Sequence, residues 1–199
     1  IPCARIGTID YRIGDECRPA VQTTPEAPLL QSLLRQAVDA GARAVVMEVS
    51  SHALALQRVG GIAFDVAVFT NLSQDHLNFH PDMEHYLQSK GKLFAALKQG
   101  ASPGTAVVNA DDPYHRDILA QHHGPIYHFG ITAKHADIRA HTLHSDAAGT
   151  SCVVETPQGR TEIQLPHLGA YHVYNALAAL GVGIALRCDV ETIPTGLAS

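Results

Sequence analysis

Continuous runs of apolar residues alternate along the chain with segments in which apolar residues recur every three or four positions. The runs predict strands at about 4–12, 43–49, 64–70, 105–109 and 125–129, and the periodic segments predict helices at about 25–40, 52–58, 82–99, 113–122 and 170–187. Strands such as "ARAVVMEV" and "FDVAVFTN" are apolar throughout, which is typical of parallel strands covered on both faces. The pattern predicts an α/β fold with a doubly wound, mostly parallel sheet and helices on both faces.

Two stretches allow sharper local predictions. Thr24, followed by Pro25 and Glu26, has the composition of a helix start, and Gly41 has that of a helix stop. From about 135 to 166, short alternating runs are separated by "AAGT" and "PQGR", which are turn sequences. This segment predicts a small antiparallel hairpin or meander at the edge of the sheet.

The composition argues against several classes of protein. With 46% hydrophobic and 17% charged residues the chain is typical of a soluble globular domain, and its net charge of −5 without a basic stripe argues against nucleic-acid binding. The longest apolar run, "ALAALGVGIAL", is too short to span a bilayer, so we expect no membrane insertion. The four cysteines form no CxxC pair and predict free thiols in a reducing compartment, which favours a cytoplasmic protein.

Polar side chains follow two of the predicted strands. Glu48 ends the second strand and "TNLSQDH" follows the third, and open α/β sheets bind ligands beyond the carboxyl ends of their strands. We therefore expect Glu48, Asn71, Asp75 and His76 to converge and to be able to hold a divalent cation. Oxygen ligands suit Mg²⁺, whereas the imidazole of His76 suits zinc or manganese better. Alternatively, Asp75 and His76 only cap the following turn.

A lysine interrupts the apolar stripe of the predicted helix 82–99. Lys90 lies in the middle of that stripe, whose members recur at three- and four-residue steps: Met83, Tyr86, Leu87, Lys90, Leu93, Phe94 and Leu97. Burial disfavours the ammonium form, and a neutral amine can act as a nucleophile or react with CO₂ to give a carbamate that binds metal. The alternative is that the methylenes lie on the core while the ammonium reaches water.

Other polar residues allow two interpretations each. Thr23 and Thr24 offer an anion site at a helix N-terminus or only an N-cap, and Arg58 clamps an anion or is a surface arginine. Asn175 is a lone amide on an apolar helix that meets either backbone or a ligand. "NADDPY" is interpreted as a strand end and a helix start without chemistry, and no GxxxxGK[ST] phosphate loop is present in the 199 residues.

Taken in order along the chain, "TTPEA", "MEVSSHALALQRV", "FTNLSQDH", "MEHYLQSK", "AVVNADDPY" and "YNALAAL" closely resemble the Mur ligase family. The segment "MEVSSHAL" is specific to the type that adds the third amino acid to the peptidoglycan peptide stem. The resemblance implies a three-domain enzyme, of which residues 1–199 are most of the central ATPase domain. The upstream Walker loop and the N- and C-terminal domains would lie outside this chain, so we expect the chain alone not to turn over.

The resemblance also implies substrates and a cofactor. ATP would phosphorylate a free carboxylate of UDP-N-acetylmuramoyl-L-alanyl-D-glutamate, and the amine of diaminopimelate or lysine would attack the acyl phosphate. Mg²⁺ would neutralise the phosphates. The sequence leaves open which of the two amino acids is added, and we expect a monomer.

Matched to the motifs residue by residue, Glu48 corresponds to the ligand of one Mg²⁺ and His76 to a ligand of the second. Lys90 corresponds to the family's carbamylated lysine, N6-carboxylysine, which serves the second metal, so the resemblance favours chemistry at this position. The residues that match the grip on the muramoyl dipeptide are Thr23, Thr24, Ser50 and Arg58. Asn175 matches the asparagine that faces adenine.

Three departures from the family pattern weaken individual assignments: Gln22 replaces a common asparagine, Pro81 a common glycine, and His172 a frequent asparagine near adenine. Two other functions stay open. One is a metal-dependent hydrolase in which Glu48, His76 and His80 bind zinc and Asp75 is the base. The other is a degenerate relative that binds a cell-wall precursor without catalysis.

Overall fold

The structure is a computed structural model that describes residues 2–197. Its contacts divide the chain into two compact units. Within the described residues, the first unit contains residues 2–62 and 76–93, and the second contains residues 63–75 and 94–197. Each unit has its own sheet, so the single doubly wound sheet expected from the sequence is two sheets here. The α/β class, with a largely parallel sheet in the second unit, is confirmed.

The first unit is built on a four-stranded sheet of order β3-β2-β1-β4. Its strands are β1 (Cys3–Ile6), β2 (Asp10–Ile13), β3 (Glu16–Pro19) and β4 (Ala44–Met47). β1 and β4 are parallel, and the other two pairs are antiparallel. The helices are α1 (Ala27–Asp39), α2 (Ser51–Ala55) and α3 (Met83–Ala95), of which α3 continues two residues into the second unit.

Helix α1 follows the sequence pattern closely. Its buried residues Leu30, Leu33 and Ala37 lie on one face at helical spacing. Gly41 has φ 78° and its N–H donates to the carbonyl of Val38, so the predicted stop is confirmed. The start differs, because Glu26 occupies the N-cap position and no side chain caps the helix.

The second unit contains a six-stranded sheet of order β10-β9-β8-β7-β6-β5. Its elements are β5 (Val66–Phe69), β6 (Thr105–Asn109), β7 (Ile126–Gly130), β8 (Ile138–Asp146), β9 (Gly149–Thr156), β10 (Gly159–Leu165), α4 (Ala170–Ala185) and α5 (Ile193–Leu197). β5 to β8 are parallel, and β8 to β10 form the antiparallel meander predicted from the turn sequences. No helix within residues 2–197 is both long enough and apolar enough to cross a membrane.

Helix α4 packs on the parallel strands of this sheet and closes the core of the second unit. Its residues Leu177 and Leu180 are fully buried, as are Val107 of β6 and Phe129 of β7. Gly181 brings the helix backbone close to the sheet, since a Cβ there would lie 2.6 Å from Cγ1 of Val107. The small residue therefore sets how closely α4 approaches β6.

We expect Gly181→Ala to lower the free energy of unfolding by about 1–2 kcal/mol, because overpacking against the rigid, buried Val107 outweighs the gain in helix propensity. Urea unfolding of the 199-residue chain measures the effect. Ala179→Ser, which adds one heavy atom at an exposed position of the same helix, is the control and should change stability little. A Gly181→Ala variant more stable than the unsubstituted chain would contradict this packing.

Several element predictions were wrong. The strand predicted at 4–12 is a hairpin, since β1 ends at Ile6 and β2 pairs back onto it. The helix predicted at 113–122 is only the 3₁₀ turn Asp117–Leu119. β4 is apolar throughout but is the edge of its sheet, and Val46 is 60% exposed within the described residues. Helix α5 was not predicted.

Candidate active site

The carboxylate of Glu48 lies at the carboxyl ends of two adjacent parallel strands. Its Oε1 accepts from the backbone N–H of Thr8 at 3.1 Å, and its Oε2 accepts from the Thr8 hydroxyl at 2.6 Å. Glu48 is exposed, and two hydrogen bonds leave part of its acceptor capacity for a cation. Thr8 was not identified from the sequence, although it follows β1 as Glu48 follows β4.

Gly7 makes room for this carboxylate, because a Cβ at position 7 would lie 2.6 Å from Oε1 of Glu48. We expect Gly7→Ala to displace the Glu48 side chain and, in the longer enzyme that the resemblance implies, to lower metal-dependent turnover by about 10- to 100-fold. Steady-state kinetics over a Mg²⁺ titration measures the effect. Gly14→Ala, at a turn of the same sheet, is the control, since its Cβ would approach only Ala40 at 3.8 Å although its φ is 57°. Unchanged turnover in Gly7→Ala would contradict a role for the Glu48 carboxylate.

Thr24 is buried and uses its hydroxyl to hold the chain beyond β4. The hydroxyl donates to the carbonyl of Glu48 at 2.9 Å and accepts from the N–H of Ser50 at 3.0 Å. It caps no helix, so the N-cap interpretation is wrong for Thr24. Thr23 extends the other way, with its hydroxyl 3.1 Å from that of Thr8. The two threonines therefore join the loop before α1 to the ends of β1 and β4.

Ser50 begins the short helix α2. Its Oγ accepts from the N–H of Ala53 at 3.2 Å, which is an N-cap bond. The segment "MEVSSHAL" thus leads from the end of β4, through a turn held by the Thr24 hydroxyl, into helix α2.

Arg58 is tied to the loop that precedes α1. Its guanidinium pairs with Glu26 at 2.7 Å and donates to the side-chain oxygen of Gln22 at 2.9 Å and the carbonyl of Thr24 at 3.2 Å. The side chain is 16% exposed, so the interpretation as a surface arginine is wrong. The structure brings Arg58 together with Thr23, Thr24, Ser50 and Glu48 in one hydrogen-bonded group.

His76 and Lys90 belong to a second group of side chains in the same unit, and both lie near the ring of Tyr86. The rings of His76 and Tyr86 lie 5.8 Å apart, edge to face, and Nζ of Lys90 lies 5.2 Å from the centre of the Tyr86 ring. Lys90 is half-buried on α3, as the stripe predicts. His76 has φ 57°, an unusual backbone conformation for a residue other than glycine.

His80 connects this group to α2. Its ring is fully buried, with Nε2 2.9 Å from Oγ of Ser51 and Nδ1 2.8 Å from Nδ1 of His85. Burial lowers the pKa of His80, and it also lowers the pKa of His52 nearby. With both ring nitrogens already bonded, His80 is not available as a zinc ligand, so the structure does not favour the hydrolase interpretation.

No three or more His, Cys, Asp or Glu side chains within residues 2–197 are arranged together as they would be around a metal ion. A carbamate on Lys90 would add a kind of ligand outside that set of residues. The metal ligands expected from the resemblance therefore lie in the same unit, but the unmodified side chains that the structure describes do not form a complete metal site.

The second unit contains a carboxylate that the sequence did not identify as important. Asp111 accepts from the N–H groups of Ile131, Thr132 and Ala133 at 2.7, 3.0 and 2.6 Å, and also from the hydroxyls of Thr132 and Tyr174 at 2.6 and 2.7 Å. Partial burial would raise the pKa of Asp111, but these hydrogen bonds outweigh it and lower the pKa to about 2. Burial and the bond to Asp111 raise the pKa of Tyr174 to about 12.

Asn175 follows Tyr174 on α4 and is exposed, so it lies on the face of α4 that is turned away from the hydrophobic core. Asp112 and Asn109 hold the segment after β5: Asp112 accepts from the N–H of Leu72 at 2.9 Å, and Asn109 donates to the carbonyl of Thr70 at 2.8 Å. "NADDPY" therefore organises the loops at the ends of β5, β6 and β7. The four cysteines are free thiols, as predicted.

A family model described as the Mur ligase middle domain matches residues 2–183. A UDP-N-acetylmuramoyl-L-alanyl-D-glutamate–2,6-diaminopimelate ligase of Geobacter metallireducens is 43% identical over 200 residues, which is 99% of this chain and 39% of that protein. The enzyme of the same name from Geobacillus kaustophilus is 42% identical over 97% of this chain and 40% of that protein. The chain thus spans about two fifths of the length of these relatives.

Solved structures give the same picture. A structure of a UDP-N-acetylmuramoyl-L-alanyl-D-glutamate–2,6-diaminopimelate ligase superimposes with a TM-score of 0.86 at 29% identity, over 98% of this chain and 40% of that one. MurF from Acinetobacter baumannii gives a TM-score of 0.72 at 20% identity, over 98% of this chain and 39% of that one, which shows a shared fold.

Proposed function

The chain belongs to the Mur ligase family, and from this premise we propose that it is the middle domain of an ATP-dependent ligase. The proposed reaction joins an amino acid to UDP-N-acetylmuramoyl-L-alanyl-D-glutamate in peptidoglycan synthesis. The longer protein of which this chain would be a part is called the parent protein below. The observation that carries the proposal is the 43% identity to a diaminopimelate-adding ligase along 99% of the chain.

The added amino acid is proposed to be diaminopimelate and not lysine, because the similar relatives are named as diaminopimelate ligases. We propose a monomer that acts in the cytoplasm, which agrees with the free thiols. The parts that complete the site, including a phosphate-binding loop and the amino-acid pocket, are proposed to be supplied by the parent protein outside this chain.

The proposed chemistry turns a carboxylate oxygen into part of a leaving group. An oxygen of a free carboxylate of the D-glutamyl residue attacks the γ-phosphorus of ATP, and ADP departs. The amine then attacks the carbonyl carbon, the bond from carbon to the phosphate oxygen breaks, and inorganic phosphate leaves with the electron pair while the amine loses a proton. Positioning and charge neutralisation do most of the catalytic work in such transfers.

Mg²⁺, when bound, would neutralise the phosphate charge, with Glu48 holding one ion and His76 and a carbamate on Lys90 holding the second. Gly7 and Thr8 support this assignment, because they leave the Glu48 carboxylate accessible and fixed. The Lys90 amine would gain CO₂ and lose a proton to form its carbamate, whose two oxygens share one negative charge and suit a hard cation.

The hydrogen-bonded group around Arg58 is proposed to bind the precursor. Thr23, Ser50 and Arg58 supply hydroxyls and a fixed cation for its anionic groups. Thr24 is buried, so we propose that its side chain acts by holding Glu48 and Ser50 in place. Asn175, exposed on α4, is proposed to face the adenine of ATP.

The test uses the purified parent protein with ATP, Mg²⁺, the UDP-muramoyl dipeptide and diaminopimelate. We expect a product heavier than the precursor by one diaminopimelate residue, and phosphate release that stops when any one substrate is omitted. Lysine in place of diaminopimelate is the matched control and should give little product. Binding of the precursor without product or phosphate would contradict the proposal and favour a non-catalytic relative.

A further inference from the structure

His80 is the most completely enclosed imidazole of the first unit, and three side chains on two helices fix it. Its ring bonds to Ser51, the first residue of α2, and to His85 on α3. It also stacks on the ring of Tyr86, with 5.0 Å between centroids and 19° between planes. Burying an imidazole costs free energy unless its ring nitrogens are hydrogen-bonded. The two hydrogen bonds therefore stabilise the His80 ring in this position.

Two of the three partners of His80, Ser51 and Tyr86, lie next to residues of the candidate site. Ser51 follows Ser50, the residue that caps α2. Tyr86 touches both the His76 ring and the ammonium of Lys90. His80 therefore contacts neighbours of the candidate-site residues, and it is not itself a proposed metal ligand.

The backbone of His80 also holds the turn that contains His76. The N–H groups of Phe79 and His80 donate to the carbonyl of His76 at 3.0 and 2.9 Å. These bonds stabilise the positive φ of His76, a conformation that persists only when the surroundings enforce it. Anchoring the His80 ring to α2 and α3 thus anchors the turn on which the His76 ring is oriented.

We propose that His80 is a positioning residue that orients His76 and Lys90, through Ser51, His85 and Tyr86, for binding a divalent cation. This inference rests on the proposed function, because it assumes that His76 and Lys90 serve that cation. Residues that orient metal ligands without touching the metal typically change metal affinity by about 10- to 100-fold when they are replaced.

The experiment measures Mn²⁺ binding by electron paramagnetic resonance, using the parent protein saturated with a non-hydrolysable ATP analogue. We expect His80→Ala to weaken the apparent Kd for Mn²⁺ by at least about 10-fold, while the affinity for the analogue without metal changes by less than about twofold. His80→Gln keeps an amide near the position of Nε2 and should retain more of the affinity. His123→Gln, at an exposed histidine of the second unit, is the matched control and should bind Mn²⁺ normally.

A folded His80→Ala protein with normal Mn²⁺ affinity overturns the inference. If that variant does not fold, Ser51→Ala and His85→Gln each remove one anchor and keep the His80 ring, and normal Mn²⁺ affinity in both overturns it equally. Amide formation by the unsubstituted protein is measured in parallel. If the unsubstituted protein forms no amide and binds no Mn²⁺, the proposed function fails, and the inference fails with it.

Discussion

Replacing Lys90 by alanine in the parent protein is expected to lower kcat for amide formation by about 10²- to 10³-fold, with the protein still folded. Lys90 is half-buried on α3, beside Tyr86, on the same group of side chains as His76. In the proposed mechanism its carbamate is a ligand of the second Mg²⁺. Alanine removes that anion and leaves the helix intact, so the loss falls on turnover more than on stability.

Lys90→Arg separates this role from that of a simple cation. Arginine keeps a positive charge over the Tyr86 ring but forms no carbamate, so it is expected to be about as inactive as alanine. Lys92→Ala, at an exposed lysine two residues further along α3, is the matched control and should keep normal kcat. Depleting CO₂ and bicarbonate should slow the unsubstituted protein and leave the Lys90 variants unchanged. Near-normal turnover in Lys90→Arg would exclude the carbamate.

Asp111→Asn is expected to lower the free energy of unfolding by about 3 kcal/mol, the largest stability effect among the substitutions considered. The carboxylate of Asp111 accepts five hydrogen bonds that join the end of β6 to residues 131–133 and to Tyr174 on α4. Asparagine has one acceptor oxygen, and its NH₂ group would face the N–H donors of that loop. Urea unfolding of the 199-residue chain near pH 7 measures the loss.

The lowered pKa of Asp111 also gives a pH dependence with a definite sign. Because its pKa in the folded chain is about 2, against 3.8 ordinarily, the folded state favours the ionised form. The resulting stabilisation is fully present above about pH 4 and is lost as the pH falls toward 2. The stability difference between the unsubstituted chain and Asp111→Asn should therefore shrink over that range.

Two variants control for this effect. Tyr174→Phe removes one of the five bonds and should cost about 1 kcal/mol, whereas Asp117→Asn changes an exposed carboxylate and should cost little. A difference between the unsubstituted chain and Asp111→Asn that is constant between pH 5 and pH 2 would contradict the assignment of the low pKa to Asp111.

Local features of the sequence predicted local features of the fold. The spacing of Leu30, Leu33 and Ala37 and the glycine at 41 define α1, and the turn sequences near 147 and 158 define the antiparallel meander. β6 has the bounds that its apolar run predicts. These features depend on neighbours within a few residues, which is why a single sequence reveals them.

Features that depend on distant partners could not be predicted in this way. The hydrogen-bond partners of Asp111 lie 20 to 63 residues further along the chain, so these bonds could not be predicted from the segment "NADDPY". Thr24 has the composition of a helix cap, but its hydroxyl bonds instead to backbone 24 and 26 residues away. The exposure of β4 depends on its place at the sheet edge, which apolar composition does not specify.

The candidate site shows the same division. The position of Glu48 at a strand end and of Lys90 on an apolar helix face followed from periodicity alone. The hydrogen bond between Thr8 and Glu48 could not be predicted from the sequence, because it depends on the pairing of β1 with β4. The assignment of Glu48, His76 and Lys90 to metal binding rests on the family resemblance and stays a proposal.

The most direct test of the central claim follows the oxygen atoms. The UDP-muramoyl dipeptide is labelled with ¹⁸O in the D-glutamyl carboxylates and converted by the parent protein with ATP and diaminopimelate. If the carboxylate is activated as an acyl phosphate, one labelled oxygen leaves with each phosphate, and mass spectrometry should find one ¹⁸O per inorganic phosphate formed. Amide formation that yields unlabelled phosphate would contradict the account.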